Sequence, residues 1–287
     1  MKKLFILTLG VMLLAVWTSS SPAVKIDGSK KDNVIKIETD TYRVHWKVQR
    51  QAGYITAFAK KGGKELQIME GDGEGRRLYH SANYAGWKDW GHVGDFEILE
   101  EKGGMAKLQF TMIDGDSKEY ICTATYWDGS PLVKHEIVVK AVKAITSFSD
   151  GHEPMYEVRG PSKGLKMWPS KGNNGPFAHT AFWTKDGAFS ALYATDPLVE
   201  AREFPAWANG LGAGRMDLVH NALGKNVAKG KLSDPIVYWV AFGVGDDKDA
   251  DALADVVAEV GQGDLEPQAV NAQGKLSTTW GALKNSR

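Results

Sequence analysis

The residues best suited to chemistry crowd into one stretch, Arg76 to Phe96, which reads RRLYHSANYAGWKDWGHVGDF. Two arginines, two tyrosines, two histidines and two tryptophans stand there among glycines and small polar residues. That mixture fits neither an alternating strand nor an amphipathic helix, so the stretch reads as a loop. Aromatic rings cover the apolar faces of sugars, and forked guanidinium donors grip carboxylates in pairs. Arg76 and Arg77 open the stretch and could pin a carboxylate or a ring hydroxyl. Tyr79, Trp87 and Trp90 offer stacking surfaces, while His80 and His92 bracket the tryptophans as bases or hydrogen-bond donors. A hydroxyl-rich, neutral or anionic ligand is the expectation. A second reading stands beside it: Trp87 and Trp90 plug the open end of a β-sandwich core, because large aromatics are mostly buried.

A second cluster, Asp150-Gly151-His152-Glu153-Pro154, is followed by Glu157 and Arg159. A histidine beside a carboxylate on a glycine-proline turn can pass protons between sugar oxygens or take one from carbon, so His152 and Glu153 are the candidate acid and base. The plainer reading is a solvated polar turn. Trp168, in Lys166-Met167-Trp168-Pro169, and Arg202, between Glu200 and Glu203 and ahead of Trp207, are further candidate ligand contacts. Charges alternating at Glu200, Arg202 and Glu203 also suit a solvated strand face. There is no nucleotide-binding glycine loop, no CxxC pair and no strong metal-ligand spacing, so neither a cofactor nor a metal is expected.

These candidates need a scaffold, and the pattern around them is one of strands. Tyr42, Val44, Trp46 and Val48 alternate with Arg43, His45 and Lys47, as a half-buried strand requires. Gly53 to Phe58 continues as a strand, and Lys61-Gly62-Gly63-Lys64 turns it into Glu65 to Ile68. Four more strands are expected at Asp95 to Glu100, Met105 to Met112, Lys118 to Trp127 and Leu132 to Lys140, separated by glycine and aspartate turns that impose antiparallel pairing. In the last of them His135 shares a face with Val133, Ile137 and Val139 and reads as a satisfied core histidine. Ser147 to Gly175, interrupted by prolines, reads as a long excursion or a broken pair of edge strands. Regular pattern returns at Ala178 to Thr184, Gly187 to Ala194, Met216 to Asn221 and Ile236 to Phe242. In the last of these Tyr238 and Trp239 point to opposite faces, which predicts cover on both sides. Asp246 to Val260 is the one convincing helix, with acids in its first turn and Ala250, Leu253, Val256, Val257 and Val260 at helical spacing.

Lys2 and Lys3, the apolar run Leu4 to Trp17 and Ser21-Pro22-Ala23 form the pattern of a secretory signal peptide cut after Ala23, which implies a periplasmic or secreted protein. The run is short for a membrane span of about 20 residues, so no membrane association is expected after cleavage. Cys122 is the only cysteine and cannot form an internal disulfide. Lys+Arg and Asp+Glu are equal at 35 each, which argues against nucleic acid as a partner. The expected organisation is a signal peptide over 1–23, a flexible leader over 24–33, a β-sandwich over 34–262 and a polar tail over 263–287. The fold class is all-β, a large antiparallel sandwich with one short C-terminal helix.

The run Tyr42-Arg43-Val44-His45-Trp46, Gly53-Tyr54-Ile55-Thr56-Ala57-Phe58 and Gly63-Lys64-Glu65-Leu66 resembles the opening meander of the galactose mutarotase-like sandwich superfamily. That resemblance implies a supersandwich fold and a carbohydrate ligand, mono-, oligo- or polymeric. It also places Arg76, Arg77 and His80 roughly where epimerases of the group carry a sugar-contacting arginine and histidine. Where those enzymes have an Asn-His pair, this chain has Gly151-His152, and Glu200 or Glu203 stands loosely for their late glutamate. The implied activities are epimerase-like or polysaccharide-lyase-like proton transfer. The alternatives are a non-catalytic glycan-binding module and a structural envelope domain.

Overall fold

A computed structural model describes residues 24–29, 32, 34–48, 53–70, 76–79, 93–114, 118–146, 155–159, 163–204, 210–217 and 226–265. Two antiparallel sheets face each other, and one helix packs on the outside of the second, as an all-β sandwich requires.

The first sheet, with nine strands, runs in the order β1 (Lys25–Asp27), β2 (Val34–Glu38), β3 (Tyr42–Lys47), β4 (Gly53–Lys61), β6 (Arg76–Tyr79), β11 (Met155–Arg159), β16 (Gly210–Asp217) and β15 (Glu200–Phe204). Beside β6, the hairpin strand β5 (Lys64–Glu70) occupies the rest of the same edge of β4. The second sheet has eight strands: β12 (Gly164–Trp168), β13 (His179–Trp183), β14 (Ala188–Ala194), β17 (Ile236–Val244), β10 (Leu132–Ala141), β9 (Lys118–Trp127), β8 (Met105–Asp114) and β7 (Val93–Lys102).

The alternation expected for β3 is present, with Tyr42, Val44 and Trp46 buried and their neighbours half-buried. The four expected strands from Asp95 to Lys140 form the meander β7 to β10. Three readings need correction. Val24 is buried and Lys25–Asp27 pairs with β2, so the leader begins as an edge strand. The stretch read as an excursion or a broken pair of edge strands holds two strands in different sheets, β12 at the edge of the second as the latter reading has it, but β11 inside the first. The strand expected from Met216 ends at Asp217 and begins at Gly210. At its Gly214 a Cβ would stand 2.6 Å from Thr180 Oγ1, so the bare backbone lets the two sheets approach.

The layer between the sheets is aromatic. Trp46 stacks on Phe110 at 4.6 Å, and His135 lies between Trp46 and Tyr238, 5.6 and 5.1 Å from them. His135 is the satisfied core histidine expected: Nε2 lies 2.9 Å from the Tyr54 hydroxyl, which is 3.0 Å from that of Tyr126. Burial pushes both phenols above their ordinary pKa, so they stay protonated and can donate. At one end of the sandwich the turn before β3 meets the turn before β10. There Asp40 N–H donates to Asp128 Oδ1 at 2.7 Å, and Thr41 Oγ1 donates to the Ser130 carbonyl at 2.7 Å.

The helix, α1 (Asp247–Val260), is capped by Asp246 in a reciprocal box with Asp249. Its buried Ala250, Leu253, Ala254 and Val257 cover Trp239, Ala241, Ala191 and Tyr193 on the outer face of the second sheet. Tyr238 packs in the inter-sheet core, so β17 is covered on both faces, as the opposed Tyr238 and Trp239 predict. His179 pins the helix. Its ring stacks on Trp168 at 4.6 Å, Nδ1 lies 2.9 Å from the Phe177 carbonyl, and Nε2 lies 2.9 Å from Asp251 Oδ1 on α1. Burial, the largest influence, pushes this imidazole below its ordinary value against the pull of both acceptors.

Two outcomes follow from this packing. A Cβ on Gly243 of β17 would lie 2.4 Å from Phe189 Cζ. Gly243→Ala should therefore cost about 1–3 kcal/mol in chemical denaturation, with partial recovery in Gly243→Ala, Phe189→Leu. For His179, the unfolded chain takes up the proton more readily than the folded one. Stability should fall as pH drops below about 6.5 and level off beneath the lowered folded value. The His179→Gln protein should show a flatter denaturation midpoint between pH 7.5 and 5 than the parent; equal slopes would refute this role.

Candidate functional site

Strand pairing sets what can meet. Tyr79 ends β6 opposite Gly53 of β4 on one side and Met155, the start of β11, on the other. Met155 pairs with Arg215 of β16, and Arg215 pairs with Arg202 of β15. A single row, Gly53, Tyr79, Met155, Arg215 and Arg202, thus crosses five strands at one end of the first sheet. The strand ends that lead into 80–92 and into 147–154 are direct neighbours in that row. His80, Trp87, Trp90, His92, His152 and Glu153 lie outside the described residues; of the strands that bound their segments, β6, which precedes 80–92, and β11, which follows 147–154, stand side by side, whereas β7 and β10 belong to the second sheet.

Arg202 and Arg215 are the described side chains of this row that carry charge. Ala201 and Met216 pack toward the inter-sheet core, so by strand alternation the two arginines share the outer face. Arg202 is exposed and forms a two-pronged contact with Glu200, Nε and one terminal nitrogen donating to Oε2 at 2.9 and 2.6 Å. Arg215 is buried, 7% exposed. Two guanidinium groups thus stand on directly paired residues, with Glu200 already balancing Arg202. Arg215 went unnoticed in the sequence because the glycine-rich run before it, GLGAG, has no side-chain alternation to mark it as a strand.

The other candidates separate. Arg76 lies three residues back from Tyr79, opposite Val158, with the same parity as the core residues Leu78 and Val158. Its guanidinium is 5% exposed and donates to Glu70 at the end of β5, and burial draws it below its ordinary pKa. Arg76 is therefore turned inward as a clasp between β5 and β6, away from the outer row. Arg77 has its backbone opposite Glu157 on β11. Trp168 belongs to the second sheet, on its helix-covered face. Its ring already carries His179 and has the Lys166 ammonium 4.6 Å from its centroid, so little of it is left for a sugar. Glu203 stands next to Arg202 on β15, exposed. Among the described residues no group of three or more metal-ligating side chains converges, and no helix is long and apolar enough to cross a membrane.

An inward ion pair of this kind supports the fold. Arg76→Met removes a charge-assisted hydrogen bond and leaves Glu70, which reaches solvent, without this partner, so it should destabilise by about 1.5–3 kcal/mol in chemical denaturation. A change within 0.5 kcal/mol of the parent would return Arg76 to the list of ligand contacts.

No protein-family model and no curated protein matches this chain. Among solved structures it resembles the GH36 α-galactosidase AgaB from Geobacillus stearothermophilus, with a TM-score of 0.53 at 7% identity, over 79% of this chain and 42% of that one. It also aligns with the galactosidase domain of an α-galactosidase-sucrose kinase, AgaSK (TM-score 0.49, 10% identity, 80% of this chain and 43% of that one). A YidC insertase aligns with a TM-score of 0.39 at 10% identity, over 93% of this chain and 51% of that one. The chain spans about half or less of the length of these structures. At such identities the likeness to the α-galactosidase is one of fold, and the shared element is the large antiparallel sandwich.

Proposed function

We propose that this is an exported carbohydrate-binding or carbohydrate-processing protein whose ligand lies across the outer row at the end of the first sheet. The observation that carries the reading is the register itself. It lays Arg202 beside Arg215 and sets Tyr79, where the aromatic segment 80–92 begins, against Met155, where the His152 turn ends. Trp87 and Trp90 would stack on sugar rings, and the paired arginines would hold a carboxylate or neutralise charge developing beside it. In the catalytic form of this proposal His152 and Glu153 exchange protons with a sugar, in epimerase-like or lyase-like chemistry. A sandwich like that of an α-galactosidase supports the ligand class by analogy of fold.

The withdrawal of Arg76 to Glu70 favours a second reading, a module that binds glycans without turning them over. Proton transfer would then lack one of the cations expected to assist it, while stacking and anion recognition would be untouched. Both readings share the export step implied by the N-terminal sequence.

The test is a panel of neutral and uronic-acid glycans offered to the purified mature protein, with tryptophan fluorescence and the ultraviolet absorbance of unsaturated products followed together. A fluorescence shift that disappears in Trp87→Ala and Trp90→Ala, with no product, supports the binding module. New absorbance that disappears in His152→Ala supports the lyase form. If neither channel responds, and the tryptophan variants lose about 3–5 kcal/mol as buried aromatics do, the carbohydrate reading fails and a structural domain replaces it.

A further inference from the structure

A cleft lies on the outer face of the second sheet, on the opposite side of the molecule from the outer row. Helix α1 packs on β13, β14 and β17, and the remaining outer face of the second sheet, β10 to β7, holds the cleft, of 180 Å³. Its lining is Leu99 of β7, Lys107 of β8, Thr123 and Thr125 of β9, and Lys134 and Glu136 of β10. Strand register orders these side chains. Thr125 pairs with Lys107 on one side and Lys134 on the other, so two ammonium groups flank one hydroxyl. One step along the same face, Thr123 pairs with Glu136 and with Gln109. Same-face positions along a strand are about 6.8 Å apart. The cleft therefore has an end lined by two lysines, one of them paired with Asp264, and an end lined by Thr123 and Glu136, separated by roughly the span of one sugar ring, with Leu99, 44% exposed, as an apolar edge.

Two features distinguish this cleft from an ordinary solvated sheet face. Lys134 is largely buried and is paired with Asp264, Nζ donating to Oδ1 at 2.9 Å, so the segment after α1 balances its charge and fixes its position. Asp264 and the buried Leu265 belong to the stretch expected to be a polar tail, which at its start is docked on the sheet instead. In contrast, among the described residues the side chains of Lys107, Thr123, Thr125 and Glu136 make no hydrogen bond or ion pair, although Thr125 is only 3% exposed. A cation, a carboxylate and two hydroxyls are thus gathered in one concavity without satisfying one another. Opposite charges this close usually pair; here the threonine column holds the lysine and the glutamate in different rows.

We propose that this cleft binds a small hydroxylated carboxylate of the size of one acidic sugar unit. The ligand carboxylate lies between Lys107 and Lys134 over Thr125, and its ring hydroxyls donate to Glu136 and share hydrogen bonds with Thr123. At 180 Å³ the cleft suits one ring and not a chain. This site does not depend on the outer row of the first sheet and would stand if that reading failed.

The experiment is amide NMR of the full mature chain titrated with D-glucuronate, D-glucose and acetate. Glucuronate should shift the amides of β8 to β10 in a saturable manner. Glucose and acetate, each able to use one end only, should bind at least about tenfold more weakly, as expected for loss of a charge-assisted or hydroxyl set. Lys107→Met, which keeps the stem, and Glu136→Gln should each weaken glucuronate by about tenfold or more, while Trp87→Ala and Arg202→Ala leave these shifts unchanged. Both cleft variants replace half-buried outer-face residues, and parent-like denaturation midpoints confirm that they fold. Equal affinity for glucuronate and acetate, shifts confined to the first sheet, or undiminished binding by both cleft variants would overturn the proposal.

Discussion

Two broad sheets can be held face to face only if the space between them is filled, and here it is filled largely by rings that carry polar atoms. That choice imposes a second condition, because a buried hydroxyl or ring nitrogen costs free energy unless it finds a partner within the layer, and only some do, the Tyr42 hydroxyl accepting and donating none among the described residues. Tyr54, Tyr126 and His135 answer it in one cluster, and Tyr156 answers it through Ser190, which in turn donates to the Ala241 carbonyl. These contacts join strands of the first sheet to strands of the second. A one-residue slip in any of them would both expose apolar rings and strand their polar atoms, so register is fixed more firmly than apolar packing alone would fix it.

A core so committed leaves recognition to the surfaces outside it. The first sheet offers the end where β4, β6, β11, β16 and β15 align. The second offers the half of its outer face that α1 does not reach. In both places the interesting side chains are even-spaced residues of rigid strands, and the scaffold sets their spacing to within the tolerance of the sheet itself. The helix and the segment after it serve a dual purpose, since they complete a second small core around Trp239 and also anchor Lys134 through Asp264.

Much of the strand content was legible because one-sided burial writes itself as alternation. Tyr42, Val44 and Trp46 alternate because only one of their faces meets the core, and the turns at Gly62, Gly103 and Gly129 adopt positive φ, which leaves glycine as their mark. The helix was equally plain from Asp246 and the spacing of Ala250, Leu253 and Val257. Legibility stopped where those signals stop. Strands β11 and β12 are short and bounded by prolines, so the period never accumulates, and nothing local tells that they belong to different sheets. Strand β16 is built on glycines that have no side chains to alternate, for the reason seen at Gly214, where any side chain would strike Thr180. Arg76 and Arg77 are adjacent in sequence and look alike, yet strand alternation sends Arg76 inward to Glu70. The contact between His179 and Asp251 spans 72 positions and has no local trace.

The order in which the chain visits its sheets has a bearing on biogenesis. The central strand of the second sheet, β17, lies between β14 and β10, yet among the described strands it is the last to be synthesised. Until residues 236–244 emerge, β10 and β14 present two long, apolar, unpaired margins, and the sandwich has a gap down its middle. A chain delivered from its N-terminus therefore cannot close its core stepwise. It must wait, exposed to edge-to-edge association, for a single late segment, which makes a holding chaperone more valuable to this topology than to one whose final strand is peripheral.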